Sequence, residues 1–160
     1  MTLMSLGRAS SANPLVSLLD SVNRLLSAIP LSILSILARL SLAVVFWRSA
    51  RTKVADGTLL TLSDNAVWLF REEYKLPLLP PELAAHMALL AEHALPALLL
   101  IGLASRLAAL GLLVMTLVIQ LFVYPDAYPV HGPWAVCALV VMVHGAGVFS
   151  VDHLLAGRRS

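Results

Sequence analysis

The chain has 160 residues, of which 59% are hydrophobic and only 12% are charged, and its net charge is +2. A soluble domain carries roughly 25% charged residues. This composition, with a mean hydropathy of +0.88, therefore indicates an integral membrane protein. Basic residues never exceed two in a row, which excludes a nucleic-acid-binding surface, and the single cysteine excludes an intrachain disulfide. We expect no cleaved targeting peptide, because the N-terminus lacks a basic segment followed by an apolar one.

Residues 1–30 predict a flexible N-terminus followed by an amphipathic surface helix. Asn13 and Pro14 form a helix start, with Asn as the N-cap and Pro at the first helical position. Apolar residues then fall on one face at helical spacing and polar residues on the other, until Pro30 ends the pattern. Such a helix lies along a membrane surface or docks on a partner.

Four apolar stretches follow, and each is long enough to cross a bilayer, since a span needs about 20 residues. They are predicted at about residues 31–50, 81–101, 107–123 and 134–147. A long connection after the first span contains a turn at Asp56-Gly57 and a short helix capped by Ser63. A loop at 124–129 and then His131 precede the fourth span. The predicted fold is all-α, a four-helix transmembrane bundle over residues 31–155 with a tail at 156–160.

Four spans place both termini on the same side of the membrane. Lysines and arginines divide evenly between the two sides, so the positive-inside rule alone does not decide the orientation. The long connection carries as many acids as bases, and long loops count less, which favours cytoplasmic termini.

Ionisable residues inside the spans are the first candidates for function, because a charge at mid-membrane costs roughly 2.5 kcal/mol or more. Arg39 and Glu92 lie near the middle of the first and second spans, and antiparallel neighbours place them at similar depth. We expect a buried Arg39–Glu92 pair. It is either a structural lock or the centre of a site for a quinone headgroup, a haem propionate or a proton path. Arg39, Glu92 and His93 are the candidate catalytic residues.

Further polar residues give two weaker hypotheses. His86 and His93 are seven residues apart, about 10.5 Å along one helix face, which is too far for both to bind one ion. A polar pocket on the side of the long connection is predicted to bind a small molecule. Its candidate cofactor-binding residues are His86, Lys53, Gln120 and His131. The candidate metal ligands, with hydrogen-bonded or core positions as the alternative, are His86, His93, Cys137 and His144, and copper is the metal that soft ligands suit.

Over about residues 31–155, the sequence resembles the DoxX family. The resemblance is carried by Arg39, Phe46 and Lys53, by LLAEHALPALLLIGLASRLAALGL and by GAGVFSVDHLL. The family usually has a glycine between that Phe and Lys, where this chain has Ser49 or Ala50. The family-like positions are Arg39, Lys53, Glu92, Gly102, Arg106, Ser150 and Asp152. The stretch SDNAVWLFREEYKLPLLPPELAAHMA resembles a subgroup encoded beside metal-stress genes for modified copper-binding peptides.

The resemblance implies a small protein of the bacterial inner membrane. Some relatives are the membrane subunit of a thiosulfate:quinone oxidoreductase, and others assemble with redox or thiol-stress enzymes. We therefore expect a membrane subunit that exchanges electrons with quinone through partner proteins, with quinone or haem as cofactor. The alternatives are a non-enzymatic component of copper handling and a membrane scaffold. The expected partners are the lipid bilayer and proteins of a redox or metal-stress system, with homo-oligomers left open.

Overall fold

A computed structural model describes residues 13–157 of the chain, which divides into two units between Pro30 and Leu31. Predictions for residues 1–12 and 158–160 lie outside this range. The α-helices are α1 (Pro14–Ser27), α2 (Leu31–Arg51), α3 (Asp64–Leu69), α4 (Pro81–Ile101), α5 (Ser105–Val118), α6 (Tyr128–His144) and α7 (Val151–Gly157). The π-helical turns Phe70–Tyr74 and Ile119–Val123 extend α3 and α5, and a 3-10 turn, Pro125–Ala127, precedes α6. The all-α fold class is confirmed.

Helix α1 begins as the sequence predicts. The Asn13 side chain accepts a hydrogen bond from the Leu15 amide at 3.0 Å, and Pro14 occupies the first turn. All side chains of α1 are exposed within its own unit. The place of this helix on a membrane surface stays a prediction.

Four helices are long and apolar enough to cross a membrane, which confirms the predicted number of spans. With their extensions they cover Leu31–Arg51, Pro81–Ile101, Ser105–Val123 and Pro125–His144. The prediction that His131 belongs to a loop was wrong, because α6 already begins at Tyr128 and His131 is buried within it. Pro129 does not prevent this early start, since the first turn of a helix needs no amide donors.

The spans pack through small side chains. Helix α2 contacts α4 and α6, and α5 contacts the same two helices. Phe46, Leu42 and Leu112 lie in the centre of the core, and alanines surround them at positions 38, 43, 108, 109 and 138. Small residues let helices approach closely in a membrane, where apolar burial gives little driving force for association. Leucines and valines on the outer faces remain exposed to the surrounding lipid.

The connection between α2 and α4 folds back on the end of α2. Val54 and Leu62 form an isolated antiparallel bridge around the turn at Asp56-Gly57. The Ser63 amide donates to the Lys53 carbonyl at 2.9 Å, and the Ser63 hydroxyl caps α3 by accepting from the Ala66 amide. These bonds fix the backbone of Lys53 just beyond the end of α2.

The turn between α4 and α5 depends on Gly102. Its φ of +72° is in the left-handed region, and the amides of Gly102 and Leu103 donate to the carbonyls of Leu99 and Leu98. This is the Schellman arrangement that ends many helices. A Cβ atom at Gly102 would lie 2.5 Å from Ser150 Cβ and 2.8 Å from an Arg39 guanidinium nitrogen. Gly102 is therefore required for its backbone conformation and for its lack of a side chain.

Gly57 offers a matched control for that double requirement. Its φ is +74°, but a Cβ atom there would meet nothing within 4 Å. We expect Gly57→Ala to lower the free energy of unfolding by about 1–2 kcal/mol through backbone strain alone. Gly102→Ala should lower the free energy of unfolding by roughly 1–3 kcal/mol more than Gly57→Ala does, because its new methyl group overlaps Ser150 and Arg39. Thermal unfolding in detergent measures both variants. Equal losses would show that the packing at Gly102 is less tight than its geometry indicates.

Candidate functional site

The polar residues inside the bundle form two clusters at opposite ends. We name them the Lys53 end, where α2 ends and α4 begins, and the Gly102 end, where α4 ends and α5 begins. The predicted Arg39–Glu92 pair was wrong. Arg39 lies at the Gly102 end and, among residues 13–157, donates only to backbone carbonyls, whereas Glu92 binds Lys53. Residue counting placed the two Cα atoms at similar depth, but the side chains extend in opposite directions.

The Lys53–Glu92 pair is almost completely buried. The Lys53 ammonium lies 2.8 Å from Glu92 Oε2, and the two side chains are only 4% and 3% exposed. The same ammonium donates to the Ser49 hydroxyl at 2.9 Å. Side chains on a helix tilt toward its N-terminus, so Glu92 leans toward the Lys53 end, and the long Lys53 side chain reaches back to meet it. Sequence analysis assigned both residues to a site but missed that they form a pair.

Glu92 lines a mostly apolar cavity between α4 and α5 with a volume of about 320 Å³. Phe70 and Tyr74 of the π-helical turn also line it, together with Met87 and Met115. Glu92 is the only ionisable lining residue other than Tyr74 within the described chain. The arrangement is an apolar chamber with one carboxylate in its wall, and that carboxylate is backed by an ammonium group.

A second, smaller cavity of about 120 Å³ lies at the same end. Ser49, Tyr74, Tyr124, His131 and Trp134 are among its lining residues, and Tyr74 lines both cavities. Of the four residues predicted to bind a cofactor on this side, His131 lines this cavity, whereas His86 and Lys53 do not, and the binding of a small molecule there stays a prediction. Gln120 reaches it through His131, because its side-chain oxygen lies 2.8 Å from His131 Nδ1.

Two tyrosines connect these cavities to the outer surface. The Tyr124 hydroxyl donates to the exposed Glu73 carboxylate, and the Tyr74 and Tyr124 rings pack edge to face. The hydrogen bond to Glu73 raises the pKa of Tyr124, and burial raises it further. Burial also raises the pKa of Tyr74, with a contribution from the nearby charge of Glu92. Both phenols therefore stay protonated at neutral pH and act as hydrogen-bond donors.

His93 is next to Glu92 in the chain but does not line either of these two cavities. Its Nδ1 lies 2.8 Å from the Leu89 carbonyl, so Nδ1 carries the proton. The buried Nε2 has no hydrogen-bond partner among residues 13–157, and the ring packs against Trp47. His93 is thus beside the site rather than in it.

The predicted metal ligands are not brought together. His86 is exposed near the start of α4, His144 is at the opposite end of the bundle, and Cys137 packs beside the core. Within the described range, no three His, Cys, Asp or Glu side chains are placed to hold an ion together. The copper hypothesis for these residues stays a prediction.

Arg39 organises the Gly102 end. Its guanidinium donates to the carbonyls of Leu99 and Leu100 in the last turn of α4, at 2.6 and 2.9 Å, and the Leu99 carbonyl accepts from the Gly102 amide as well. It also donates to Ala146 at 2.7 Å and to Phe149 at 3.1 Å, in the loop after α6. A cation at a helix C-terminus is favourable as well because of the helix dipole. Arg39 therefore ties three spans together.

Asp152 caps α5 from the start of α7. Its two oxygens accept from the amides of Ala104 and Ser105, at 2.7 and 2.9 Å. Burial alone would raise the pKa of Asp152, but these hydrogen bonds and the charge of Arg39 lower it below its usual value of 3.8. The carboxylate is ionised at neutral pH and closes the Gly102 end against α5.

The Lys53–Glu92 pair can be tested with an exposed pair as control. We expect Lys53→Met or Glu92→Leu alone to lose about 3–5 kcal/mol of stability, because each leaves one buried charge without its partner. The double variant should recover most of that loss. The control pair is Arg71–Glu82, whose side chains are 57% and 69% exposed. It should contribute under about 1 kcal/mol to the free energy of unfolding. Thermal unfolding in detergent compares the variants, and additive losses in the double variant would contradict direct pairing.

The Asp152 cap predicts a pH dependence of stability. A carboxylate whose folded-state pKa is depressed stabilises the fold above its unfolded pKa, and this contribution falls as pH drops through about 4 toward the folded pKa. At neutral pH, Asp152→Ala should lower stability by about 1–2 kcal/mol. The difference between wild type and variant should shrink below pH 4. Unfolding measured from pH 3 to 7 checks this, and a constant difference would show that the carboxylate charge contributes nothing.

Comparison with known proteins identifies the family of the chain. A family model named DoxX matches residues 34–125, which is more than half of the chain. No curated protein and no solved structure matches it. The matched range includes Arg39, Lys53, Glu92 and Gly102, while the metal-stress subgroup stays a prediction. This four-span membrane protein belongs to the DoxX family.

Proposed function

We propose that this protein is the membrane subunit of a redox system and binds the headgroup of a quinone beside the Lys53–Glu92 pair. The observation that carries the proposal is the buried ion pair at the wall of an apolar cavity. A buried pair is often less stable than apolar residues of the same size, so its presence calls for a role beyond stability. An intramembrane ionisable residue is a functional hypothesis by default.

The cavity has the chemistry that a lipid-soluble quinone needs. Ligand sites are mostly apolar, with a few polar groups that fix orientation, and about 320 Å³ is at the lower end of their usual volume. A quinone ring has two carbonyl oxygens that accept hydrogen bonds, and its tail is apolar. The Glu92 carboxylate lines the cavity and can exchange a proton with a ring oxygen, and the Tyr74 phenol in the same wall can donate a hydrogen bond. The Lys53 ammonium does not line the cavity, since it donates to Ser49 and Glu92, and its part is to hold the Glu92 carboxylate in place.

In the proposed reduction of quinone, this chain and its partner protein have separate roles. Reduction of a quinone to a quinol takes up two electrons and two protons. In the proposal, a partner redox protein supplies the electrons, and Glu92 transfers protons in the apolar cavity. The absence of histidine from the described lining of this cavity favours quinone over haem, because histidine is a common axial ligand of haem iron.

The proposal includes a location and an orientation. We place the chain in the bacterial inner membrane with both termini in the cytoplasm, as the charge distribution of the long connection favours. The Lys53 end, which contains that connection, then faces the opposite side. The partner protein would approach the exposed surface formed by the Phe70–Tyr74 turn and Tyr124.

Binding of decylubiquinone to purified protein in detergent tests the site. The variant to use is the double variant Lys53→Met/Glu92→Leu, because we expect it to fold. The dissociation constant of the double variant for decylubiquinone should be at least roughly tenfold higher than that of wild type, since a hydrogen bond to a charged group contributes about 1.5–3 kcal/mol. The control Arg71→Gln/Glu82→Gln removes an exposed pair and should bind like wild type. Equal binding by wild type and the Lys53–Glu92 variant would refute the site.

A further inference from the structure

A concavity lies at the Gly102 end of the bundle, away from the proposed quinone site. It has a volume of about 570 Å³ and is lined by Arg106, His144, His153 and the backbone of 145–147, among others. Its walls come from the first turn of α5, the end of α6 and the start of α7. All four spans of the described chain begin or end within a few residues of this lining. The concavity is therefore at the depth of the lipid headgroups.

Arg106 is the one formal cation in the described lining of this concavity, and it does not pair with the carboxylate there. Asp152 is also in the lining, but both its oxygens accept from backbone amides, and its charge is offset by Arg39. Arg106 forms no ion pair within residues 13–157. Its guanidinium donates only to the Val143 carbonyl, at 3.3 Å, which leaves most of its five N–H donors without a protein acceptor in that range.

Two histidine rings extend the donor set. His144 and His153 are exposed at the concavity, and neither ring has a hydrogen-bond partner among the described residues. A guanidinium with neighbouring ring N–H donors matches the oxygens of a phosphate group, which arginine binds through two parallel hydrogen bonds.

Apolar side chains at the edge indicate a lipid rather than a free ion. Leu107 and Val148 line the concavity, and Leu107 is 71% exposed. Phe149, next in the chain to Val148, is 73% exposed. Exposed apolar residues beside a cation at headgroup depth suit a ligand that is charged at one end and apolar at the other.

We propose that this concavity binds the phosphate of an anionic phospholipid, with Arg106 as the principal cation and His144 and His153 as additional donors. The site is independent of the proposed quinone site, so either proposal can fail alone. The site should prefer an anionic headgroup to a zwitterionic one. Both oxygens of Asp152 already accept hydrogen bonds from backbone amides, so this carboxylate is not available to bind a choline group.

Native mass spectrometry of delipidated protein in detergent tests the assignment. The probes are dioleoylphosphatidylglycerol, dioleoylphosphatidylcholine and inorganic phosphate. Wild type should bind phosphatidylglycerol in preference to phosphatidylcholine. Arg106→Gln should bind phosphatidylglycerol about tenfold more weakly, and Arg106→Lys should keep part of the affinity. Arg71→Gln removes an exposed arginine at the Lys53 end and should bind like wild type.

A second variant and a stability measurement keep the test decisive. His144→Gln/His153→Gln leaves Arg106 in place and should weaken phosphatidylglycerol binding less than Arg106→Gln does. The lipid-free variants should unfold at the temperature of wild type, because these side chains are exposed. Equal binding of the two lipids, or an unchanged affinity in Arg106→Gln, would overturn the proposal. Phosphate binding that depends on Arg106 without a preference for phosphatidylglycerol would assign the site to free phosphate and overturn the lipid assignment.

Discussion

A cation that enters the hydrocarbon layer has to be compensated by groups that the protein itself supplies, and the bundle does this in two different ways. Arg39 is compensated by backbone dipoles, since four carbonyls from two parts of the chain accept its hydrogen bonds. Lys53 is compensated by a full opposite charge on Glu92. The first solution holds helix ends together, and the second leaves a titratable carboxylate inside the membrane.

The two ends of the bundle are accordingly suited to different tasks. At the Gly102 end, Arg39 donates to a carbonyl at the end of α4, and Asp152 accepts from an amide at the start of α5. Because Gly102 has no side chain, the backbone there can approach Ser150 closely. The backbone there has little freedom to rearrange. At the Lys53 end, the π-helical turn Phe70–Tyr74 covers cavities rather than close-packed side chains. π-helical turns occur frequently at functional sites.

The sequence predicts the elements of this fold better than their partners. Hydropathy gives the four spans, and local chemistry gives the helix starts at Asn13-Pro14, Ser63 and Pro81. The partner of Glu92 was missed, because counting residues along a helix treats each side chain as a point at its Cα atom. Lys53 lies beyond its span and reaches inward, which a hydropathy profile does not record. The acceptors of Arg39 are backbone carbonyls, and every residue has one, so no sequence pattern identifies them.

The hydrogen bonds of Arg39 have a consequence for how the protein is made. Its acceptors follow it in the chain by 60, 61, 107 and 110 residues. A ribosome therefore delivers α2 to the membrane while the carbonyls that Arg39 needs have not yet been synthesised. Until the loop after α6 emerges, the first span has a cation without its full set of acceptors, and it has to remain near water or insertion machinery. We therefore expect the first span to reach its final position only after the loop that follows α6 has been made.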